Sequence, residues 1–381
     1  MKPAAFLIQG DARRLPLPDA SVHCVVTSPP YWGLRDYGLV PLVWDDSGGC
    51  AHSFDERRYY TEQSAAASDG SAEAFSEAGP ENANRLKKAR WRVDGLCRCG
   101  AWRGSLGLEP TPDLYVQHLV EVFREVRRVL RDDGTVWLNL GDSYTSGGRD
   151  TRDPGQSKIH PAFENWQKGN RPGTPLGLKP KDLIGIPWRV AFALQADGWW
   201  LRSDIIWSKP NPMPESVTDR PTKSHEYLFL LTKGERYYYD AEAIKEPSQS
   251  GPSDVRKMVE GYERFGGKHK ALDDPLNKAS AATNIGRRAG VGSPDGRNRR
   301  TVWEIPTAPF PGAHFATFPP ELVKPCVLAG CPVGGMVLDP FAGSGTVVLV
   351  AQELGRVGVG VELKAEYLAM GQKRTAQGVL P

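Results

Sequence analysis

The stretch Thr-Ser-Pro-Pro-Tyr at 27–31 combines residue types that suit a polar ligand. Ser28 offers a hydroxyl that can accept a hydrogen bond. Pro29 keeps a carbonyl acceptor but lacks a backbone donor, and Pro30 stiffens the corner by restricting φ. Tyr31 adds an aromatic face for a planar ring or a cation. The stretch is therefore either a ligand site or a proline loop with buried aromatics.

A glycine-rich turn occupies 338–346, between a predicted strand and a predicted helix. Gly343 and Gly345 permit positive φ and close backbone approach to a ligand. Asp339 ends the strand, where its carboxylate could meet a cationic amine, and Glu362 ends the next strand, where an acid can accept both hydroxyls of a ribose. A P-loop lysine and the full dinucleotide fingerprint are missing. The turn favours a nucleoside carrying an amine, with ordinary strand–helix packing as the alternative.

A scaffold of alternating strands and helices must hold these two stretches. Apolar runs predict strands at 5–10, 21–28, 135–144, 199–210, 226–233, 236–240 and 356–363, and 336–355 reads as strand, glycine turn and helix. Periodic stripes predict helices at 111–134, 186–198 and 364–376, the first with Thr111 as its N-cap. This alternation predicts a doubly wound α/β fold with a mostly parallel sheet.

Composition narrows the class of protein. The chain has 381 residues, of which 40% are hydrophobic and 24% charged, with a net charge of +3. A folded cytoplasmic protein is expected, since no run reaches membrane-spanning length and six cysteines in so long a chain do not indicate a disulfide framework. Small polar residues at 55–90 predict a mobile insertion.

Taken together, the two stretches resemble the motifs of amino-methylating DNA methyltransferases. Asp-Pro-Phe-Ala-Gly-Ser-Gly-Thr (339–346) resembles their S-adenosylmethionine motif, and Thr-Ser-Pro-Pro-Tyr resembles their catalytic motif. The catalytic motif comes first in the chain, as in the circularly permuted β class. Segments 10–13, 208–233 and 314–323 are also similar to that class.

The resemblance implies a Rossmann-like, circularly permuted sheet with one antiparallel strand. It divides the chain into a catalytic part at 1–244, a target-recognition region at 245–305 and a cofactor-binding part at 306–381. The implied catalytic residues are Ser28, Pro29, Pro30 and Tyr31. The implied S-adenosylmethionine-binding residues are Asp11, Asp339, Phe341, Gly343, Gly345, Thr346 and Glu362.

The first residue of the catalytic motif bears on the target base. In this family, serine goes mostly with the N4 amine of cytosine, and Asp or Asn with the N6 amine of adenine. We therefore expect a flipped-out cytosine in double-stranded DNA, with adenine as the alternative. A homodimer and a cognate restriction endonuclease are further candidate partners. The rival classes are an RNA or protein N-methyltransferase and an inactive DNA-binding protein.

Basic residues predict the DNA-facing surface. Residues 284–300 hold five arginines against one acidic residue, which fits the recognition region but also a solvated loop. Asn139 and Asp142 could wall the base pocket or simply cap a strand end. The candidate DNA-binding residues are Lys209, Asn211, Arg220, Arg287, Arg288, Arg297, Arg299 and Arg300, and His225 lies near the same rim.

Cysteine and histidine pairs flank the polar insertion. Cys50 and His52 precede it, and Cys97 and Cys99 follow it, so the four could form a zinc site of three cysteines and one histidine. The alternative is a set of free thiols beside a surface histidine, because Cys-x-Cys is tighter than the usual zinc spacing. Three further cysteines are expected in the core: Cys24, Cys326 and Cys331.

Overall fold

The computed structural model of the chain describes residues 3–34, 36–46, 48–54, 95–145, 178–247, 296–307 and 319–377. Its strands are β1 (Ala5–Gln9), β2 (Val22–Thr27), β3 (Leu42–Trp44), β4 (Trp102–Gly104), β5 (Leu130–Leu140), β6 (Trp200–Ser208), β7 (His225–Thr232), β8 (Val302–Glu304), β9 (Met336–Asp339) and β10 (Val357–Glu362). Its α-helices are α1 (Pro112–Val129), α2 (Ile186–Ala196), α3 (Pro320–Gly330), α4 (Thr346–Glu353) and α5 (Ala365–Gln377).

Eight of these strands form one sheet in the order β1-β10-β9-β2-β5-β7-β6-β8. Within it, β7 alone runs antiparallel to its neighbours β5 and β6, and the other described pairs are parallel. This confirms the predicted mostly parallel sheet with one antiparallel strand. The strands β3 and β4 pair separately as an antiparallel two-stranded ribbon, here called the β3–β4 ribbon.

Hydrophobic cores cover both faces of the large sheet. Along β2, Val25 belongs to the core that contains α1 and α2, whereas Cys24 and Val26 belong to the core that contains α3 and α4. This alternation is what a strand buried on both sides requires, because successive side chains point to opposite faces. Cys24, Cys326 and Cys331 are all buried, which confirms their predicted place in the core.

The first helix begins as predicted but ends earlier, at Val129, because residues 130–134, predicted as its last turn, begin β5, which pairs with β2. The Thr111 side chain accepts a hydrogen bond from the Leu114 amide at 3.2 Å, and Pro112 occupies the first turn, where its missing N–H costs nothing. The acidic Asp113 near the start and the basic Arg127 and Arg128 near the end suit the helix dipole. The helix therefore holds its apolar stripe against the sheet.

The strand predicted at 236–240 is wrong. The residues carry no strand, and their amides bond to isolated carbonyls: Tyr238 to Asp133 at 2.8 Å and Asp240 to Ala329 at 2.9 Å. The β5 edge that they would need already pairs with β7. Of the three consecutive tyrosines, Tyr239 stacks on the Trp137 ring at 6.5 Å between centres, and Tyr237 meets Tyr239 edge-on.

The predicted division of the chain into three parts stays a prediction. Residues 302–304, at the end of the predicted recognition region, form β8 of the large sheet, while the predicted insertion at 55–90 and most of the recognition region lie outside the described residues. Among the described helices, none has the length and apolar character to cross a membrane.

Candidate active site

The two motifs identified in the sequence meet at the carboxyl ends of neighbouring strands. Cys24 and Val25 of β2 pair with Val337 and Leu338 of β9, so both strands end at the same edge of the sheet. There the Thr27 hydroxyl donates a hydrogen bond to Asp339 Oδ1 at 2.7 Å. Residues that are 312 positions apart in the chain are therefore in direct contact.

A chain of hydrogen bonds runs through the catalytic motif. The Ser28 hydroxyl donates to the Tyr31 hydroxyl at 3.2 Å, and the Tyr31 hydroxyl donates to Glu226 Oε2 at 2.7 Å. Asn139 Nδ2 lies 2.7 Å from the Tyr31 hydroxyl, 3.0 Å from Glu226 Oε2 and 3.4 Å from Ser28 Oγ. We call Ser28, Tyr31, Asn139 and Glu226 the hydroxyl network.

Lys209 keeps Glu226 ionised inside this network. The Lys209 ammonium forms an ion pair with Glu226 and lies 4.2 Å from the centre of the Trp207 ring. Burial alone would raise the pKa of Glu226, but the Lys209 charge and the hydrogen bonds from Lys209, Tyr31 and Asn139 outweigh it, and the pKa is lowered. Burial, followed by the charge of Glu226, raises the pKa of Tyr31, which therefore remains a hydroxyl donor.

The proline corner is fixed from behind. The Tyr115 hydroxyl on α1 donates to the Pro30 carbonyl at 2.8 Å. Next to it, the Gly33 amide donates to the Gly107 carbonyl at 2.8 Å, and the Trp32 indole donates to the Glu109 carbonyl at 2.9 Å. These bonds hold the backbone around Pro29 in one position.

Gly141 is needed for the position of the Tyr31 ring. A Cβ atom at Gly141 would lie 2.6 Å from Tyr31 Cε2, closer than real Cβ contacts come. The ring therefore occupies the space that any other residue at this position would fill. Gly141 follows directly after β5, so the sheet edge itself supplies the seat of the ring.

The glycine-rich turn has the predicted backbone. Gly343 and Gly345 have φ values of 50° and 79°, and Thr346 begins α4. The Gly343 amide donates to Glu362 Oε2 at 2.8 Å, and the Phe341 amide donates to Asp339 Oδ1 at 3.0 Å. Both predicted acidic residues thus contact the turn directly.

Burial disfavours the charged form of both carboxyl groups. Burial raises the pKa of Asp339 to about 7, although hydrogen bonds from Thr27 and the Phe341 amide oppose the shift. Burial also raises the pKa of Glu362, opposed by backbone amides that include those of Lys364 and Gly343. A buried carboxyl of this kind gains stabilisation when a positive charge arrives beside it.

Asp11 forms an ion pair close to the end of β1. Its carboxylate pairs with Arg13, whose Nη2 lies 2.7 Å from Asp11 Oδ2. The Arg13 guanidinium in turn lies 4.2 Å from the centre of the Trp44 ring and donates to the Val43 carbonyl at 2.7 Å. The Asp11 side chain therefore joins the sheet edge to the β3–β4 ribbon, and its role in cofactor binding stays a prediction.

The described residues predicted to contact DNA are engaged within the protein. Lys209 belongs to the ion pair with Glu226. The Asn211 side chain accepts from the Thr307 amide at 2.9 Å and donates to the Thr307 carbonyl at 3.2 Å. Arg220 pairs with Glu215 at 2.8 Å. The remaining described arginines behave alike: Arg297 and Arg300 contact Glu246, and Arg299 stacks over Trp303. Arg287 and Arg288 lie outside the described residues, and DNA binding by this set stays a prediction.

Sequence reasoning missed Glu226 and left Asp142 open. Glu226 is in phase with the core residues Leu228 and Leu230 of β7, so a charge on the buried face was the available signal. Asp142 Oδ1 accepts from the amides of Ser143, Gly185 and Ile186, at 2.8 to 3.0 Å. Asp142 therefore accepts the amides at the start of α2, and its place in a base pocket stays a prediction.

Comparisons with known proteins identify relatives of this chain. Residues 22–373 match the sequence model of the N6_N4_Mtase family, described as DNA methylase. The Type II methyltransferase M.Cfr9I of Citrobacter freundii is 43% identical over 374 residues, covering 97% of this chain and 87% of the relative. M.SmaI of Serratia marcescens is 43% identical over 370 residues, covering 97% and 89%. A solved structure titled PvuII DNA methyltransferase (cytosine-N4-specific) aligns over 98% of this chain and 88% of its own, with 16% identity and a TM-score of 0.49.

The family match spans both motifs, from the start of β2 to within α5. The catalytic corner and the glycine-rich turn, joined through Thr27 and Asp339, lie inside it. The chain therefore belongs to the DNA methylase family.

Proposed function

We propose that this protein transfers the methyl group of S-adenosylmethionine to the N4 amine of a flipped-out cytosine in double-stranded DNA. The observation that carries the proposal is the hydroxyl network, which ends at Ser28 one residue from the Thr27–Asp339 contact. That arrangement puts an acceptor for a substrate amine next to a buried carboxyl suited to a cationic cofactor.

The residues at the glycine-rich turn fit S-adenosylmethionine. The cofactor supplies a methyl group on a positively charged sulfur, and it also carries an ammonium group and a ribose. Thr27 and the Phe341 amide both donate to Asp339 Oδ1, and we assign Oδ2 to the ammonium group. Glu362 receives two backbone amides and, as a carboxylate with about four acceptor positions, can also accept ribose hydroxyls.

The catalytic corner suits an exocyclic amine. The lone pair of such an amine is delocalised into the base, so the nitrogen must become pyramidal before it can attack. Acceptors aimed at its two hydrogens favour the pyramidal form by stabilising the charge that develops. We assign these acceptor roles to the Pro29 carbonyl and to Ser28 Oγ, and we assign the Tyr31 ring to stacking on the base.

The direction of the hydroxyl network prepares Ser28 to accept. Because Glu226 is ionised, it can only accept a hydrogen bond, and it accepts the one that the Tyr31 hydroxyl donates. The Tyr31 oxygen in turn accepts the hydrogen bond that Ser28 donates. The lone pairs of Ser28 Oγ are then available to the amine. Glu226 acts here as a positioning residue, because its lowered pKa makes it a poor acceptor of the amine proton itself.

The choice of cytosine over adenine rests on Ser28 as the first residue of the motif. Either base offers an amine with two hydrogens, so geometry at the corner does not separate them. Serine at this position goes mostly with the cytosine type of this family, and the Ser28 hydroxyl here donates its hydrogen bond to Tyr31. The permuted domain order, the recognition region at 245–305, a homodimer and a partner endonuclease belong to the same proposal.

A labelled-methyl assay tests the base assignment. Duplex DNA of mixed sequence is incubated with the protein and isotopically labelled cofactor, digested to nucleosides and resolved by mass. The expected product is N4-methyldeoxycytidine. Labelled N6-methyldeoxyadenosine alone would overturn the cytosine assignment, and label in RNA or protein instead of DNA would overturn the DNA assignment.

Ser28→Ala is the matched variant for this assay. It removes one acceptor at the amine and should slow transfer by about 10²–10³-fold, the effect of losing one preorganised hydrogen bond in a transition state. Cofactor affinity, measured by calorimetric titration, should be unchanged because Asp339 and the glycine-rich turn are intact. Near-normal turnover in this variant contradicts the assigned role of Ser28.

A further inference from the structure

Four candidate metal ligands converge beside the β3–β4 ribbon. The ligand atoms of Cys50, His52, Cys97 and Cys99 all lie within 4.8 Å of one another. Three thiolates and one imidazole form a donor set that zinc adopts in structural sites. We propose that these four residues bind one structural Zn²⁺ ion, which fixes the β3–β4 ribbon and has no part in methyl transfer.

The distances within the cluster suit a tetrahedral ion. Cys50 Sγ and Cys97 Sγ are 3.9 Å apart, and Cys99 Sγ lies 3.3 Å from His52 Nδ1. Bond lengths of about 2.3 Å to sulfur and about 2.0 Å to nitrogen place tetrahedral ligands roughly 3.5–3.8 Å apart. A disulfide would bring two sulfurs to about 2.05 Å, so the cluster has the spacing of a metal site.

Two local turns explain how the tight Cys-x-Cys spacing can work. The Gly100 amide donates to the Cys97 carbonyl at 2.9 Å, and the Cys97 amide donates to the Ala101 carbonyl at 2.7 Å. Gly100 has a φ of 95°, which reverses the chain immediately after Cys99. On the other side, the Gly48 amide donates to Asp46 Oδ1 at 2.9 Å and directs the chain into Cys50.

His52 is oriented as a metal ligand would be. Its Nδ1 faces Cys99, while Nε2 lies 3.1 Å from Asp46 Oδ1. Histidines that bind metals usually present their second nitrogen to a carboxylate or carbonyl, which sets the ring orientation. The Phe54 ring stacks on the imidazole at 5.4 Å and restricts it further.

The ligand count indicates a structural role. Four protein ligands complete a tetrahedral shell and leave no position for a reacting water. The ion would join the chain before 55–94 to the chain after it, next to the ribbon whose Trp44 supports Arg13. Since metal binding to the folded state adds its free energy to folding, loss of zinc should loosen this ribbon first.

Metal analysis of the full chain tests the proposal directly. Protein purified without chelator should contain one zinc ion per chain, as measured by elemental (inductively coupled plasma) mass spectrometry. After removal of zinc with a strong chelator, the melting temperature should fall, and titration with Co²⁺ should produce the sulfur-to-cobalt charge-transfer absorption of a thiolate site. Absence of both zinc and this absorption overturns the proposal.

Variants separate the cluster from the other cysteines. Cys99→Ser and His52→Ala should lower the zinc content and weaken the cobalt absorption, whereas His52→Cys should retain zinc in a site of four thiolates. Cys331→Ser, which changes a buried cysteine outside the cluster, should keep the full metal content. Equal loss in Cys331→Ser and Cys99→Ser would refute a specific site, and the metal content of the unaltered chain decides the question if a variant does not fold.

Discussion

Gly141 controls the catalytic ring through space rather than through a bond. Gly141→Ala would place a methyl group 2.6 Å from Tyr31 Cε2, so the ring must move and the hydroxyl network must lengthen. We expect methyl transfer to fall at least tenfold, because small displacements of positioned groups are costly in catalysis. Cofactor affinity should stay the same.

Gly234→Ala is the control for that experiment. A Cβ at Gly234 would meet no atom within 4 Å, and its φ is not positive. Turnover should therefore be normal in Gly234→Ala. Normal turnover in Gly141→Ala as well would show that the ring position is not critical.

The buried Asp339 carboxyl lowers the stability of the cofactor-free protein at neutral pH, and we propose that the same carboxylate binds the cofactor. Its pKa rises to about 7 on folding because of burial, whereas an exposed carboxyl titrates near 4, so folding loses free energy as the pH rises from about 4 to 7. Asp339→Asn removes this cost, which is up to about 4 kcal/mol for a shift of roughly three units.

The expected result for Asp339→Asn has two opposite signs. The variant without cofactor should be more stable than the unaltered protein at pH 8 and similar to it near pH 4, by chemical denaturation. Its affinity for S-adenosylmethionine should fall by roughly 1.5–3 kcal/mol, the size of a charge-assisted bond. Unchanged affinity would remove Asp339 from the cofactor site.

The residue scale also shows where sequence reasoning succeeds. Ser28, Tyr31, Asp339 and Glu362 were named from two motifs, their resemblance to a known family and their position at strand ends, and the structure brings them to one sheet edge, while their roles stay predictions. Glu226 was missed because it belongs to no short motif, and only its phase with buried residues of β7 distinguishes it. A charge on a core face is the feature to look for.

At the scale of elements, helix α1 supports both the ribbon and the proline corner. His118 of α1 is fully buried, stacks on Trp44 and Trp102 of the ribbon, and has a carboxylate oxygen 2.9 Å from each ring nitrogen, one from Glu109 and one from Asp45. Since Tyr115 on the same helix holds the Pro30 carbonyl, packing of the ribbon and placement of the corner depend on one element.

His118→Phe should uncouple this arrangement. The ring would still pack, but the buried Glu109 carboxylate would lose its imidazole hydrogen-bond partner, which typically costs about 1–3 kcal/mol. Urea unfolding measures the loss. The double variant His118→Phe with Glu109→Gln should recover part of it, and a loss below about 1 kcal/mol in His118→Phe would mean that the pair contributes little.

Element boundaries followed local signals where such signals exist. The cap at Thr111 and the glycines before α4 placed the starts of two helices correctly, whereas the end of α1, which lacks such a signal, was predicted five residues too late. The strand predicted at 236–240 is absent because a run of tyrosines favours a strand but does not supply a partner for it, and its amides bond instead to Asp133 and Ala329. The β3–β4 ribbon was not predicted, because its strands have three residues each and their pairing depends on distant contacts.

At the scale of the whole molecule, the Thr27–Asp339 bond connects the two halves of the site. The hydrogen bond from Thr27 lowers the pKa of Asp339, which is about 7. Thr27→Val removes this bond and should raise that pKa above 7. In the proposed site, cofactor binding needs the ionised carboxylate. As the pH falls, binding should therefore begin to weaken at a higher pH in Thr27→Val than in the unaltered protein. Calorimetric titration of cofactor binding from pH 6 to pH 9 measures this effect. The range covers a rise of roughly one unit in the pKa of Asp339.

Thr27→Ser is the conservative comparison. It keeps the hydroxyl and should keep the pH dependence of binding. An identical pH profile for Thr27→Val, Thr27→Ser and the unaltered protein would show that the contact does not tune Asp339.

The order of strands has a consequence for biosynthesis. Among the described strands of the large sheet, β1 pairs only with β10, so Ala5 meets its partner only after the chain has been synthesised as far as Gly358. One edge of β2 likewise waits for β9. Such sequence-distant pairing gives a high contact order and slow, largely post-translational folding. A nascent or truncated chain lacking β9 and β10 therefore leaves β1 and one edge of β2 unpaired and lacks the glycine-rich turn that we propose binds the methyl donor, so activity must wait for these two strands.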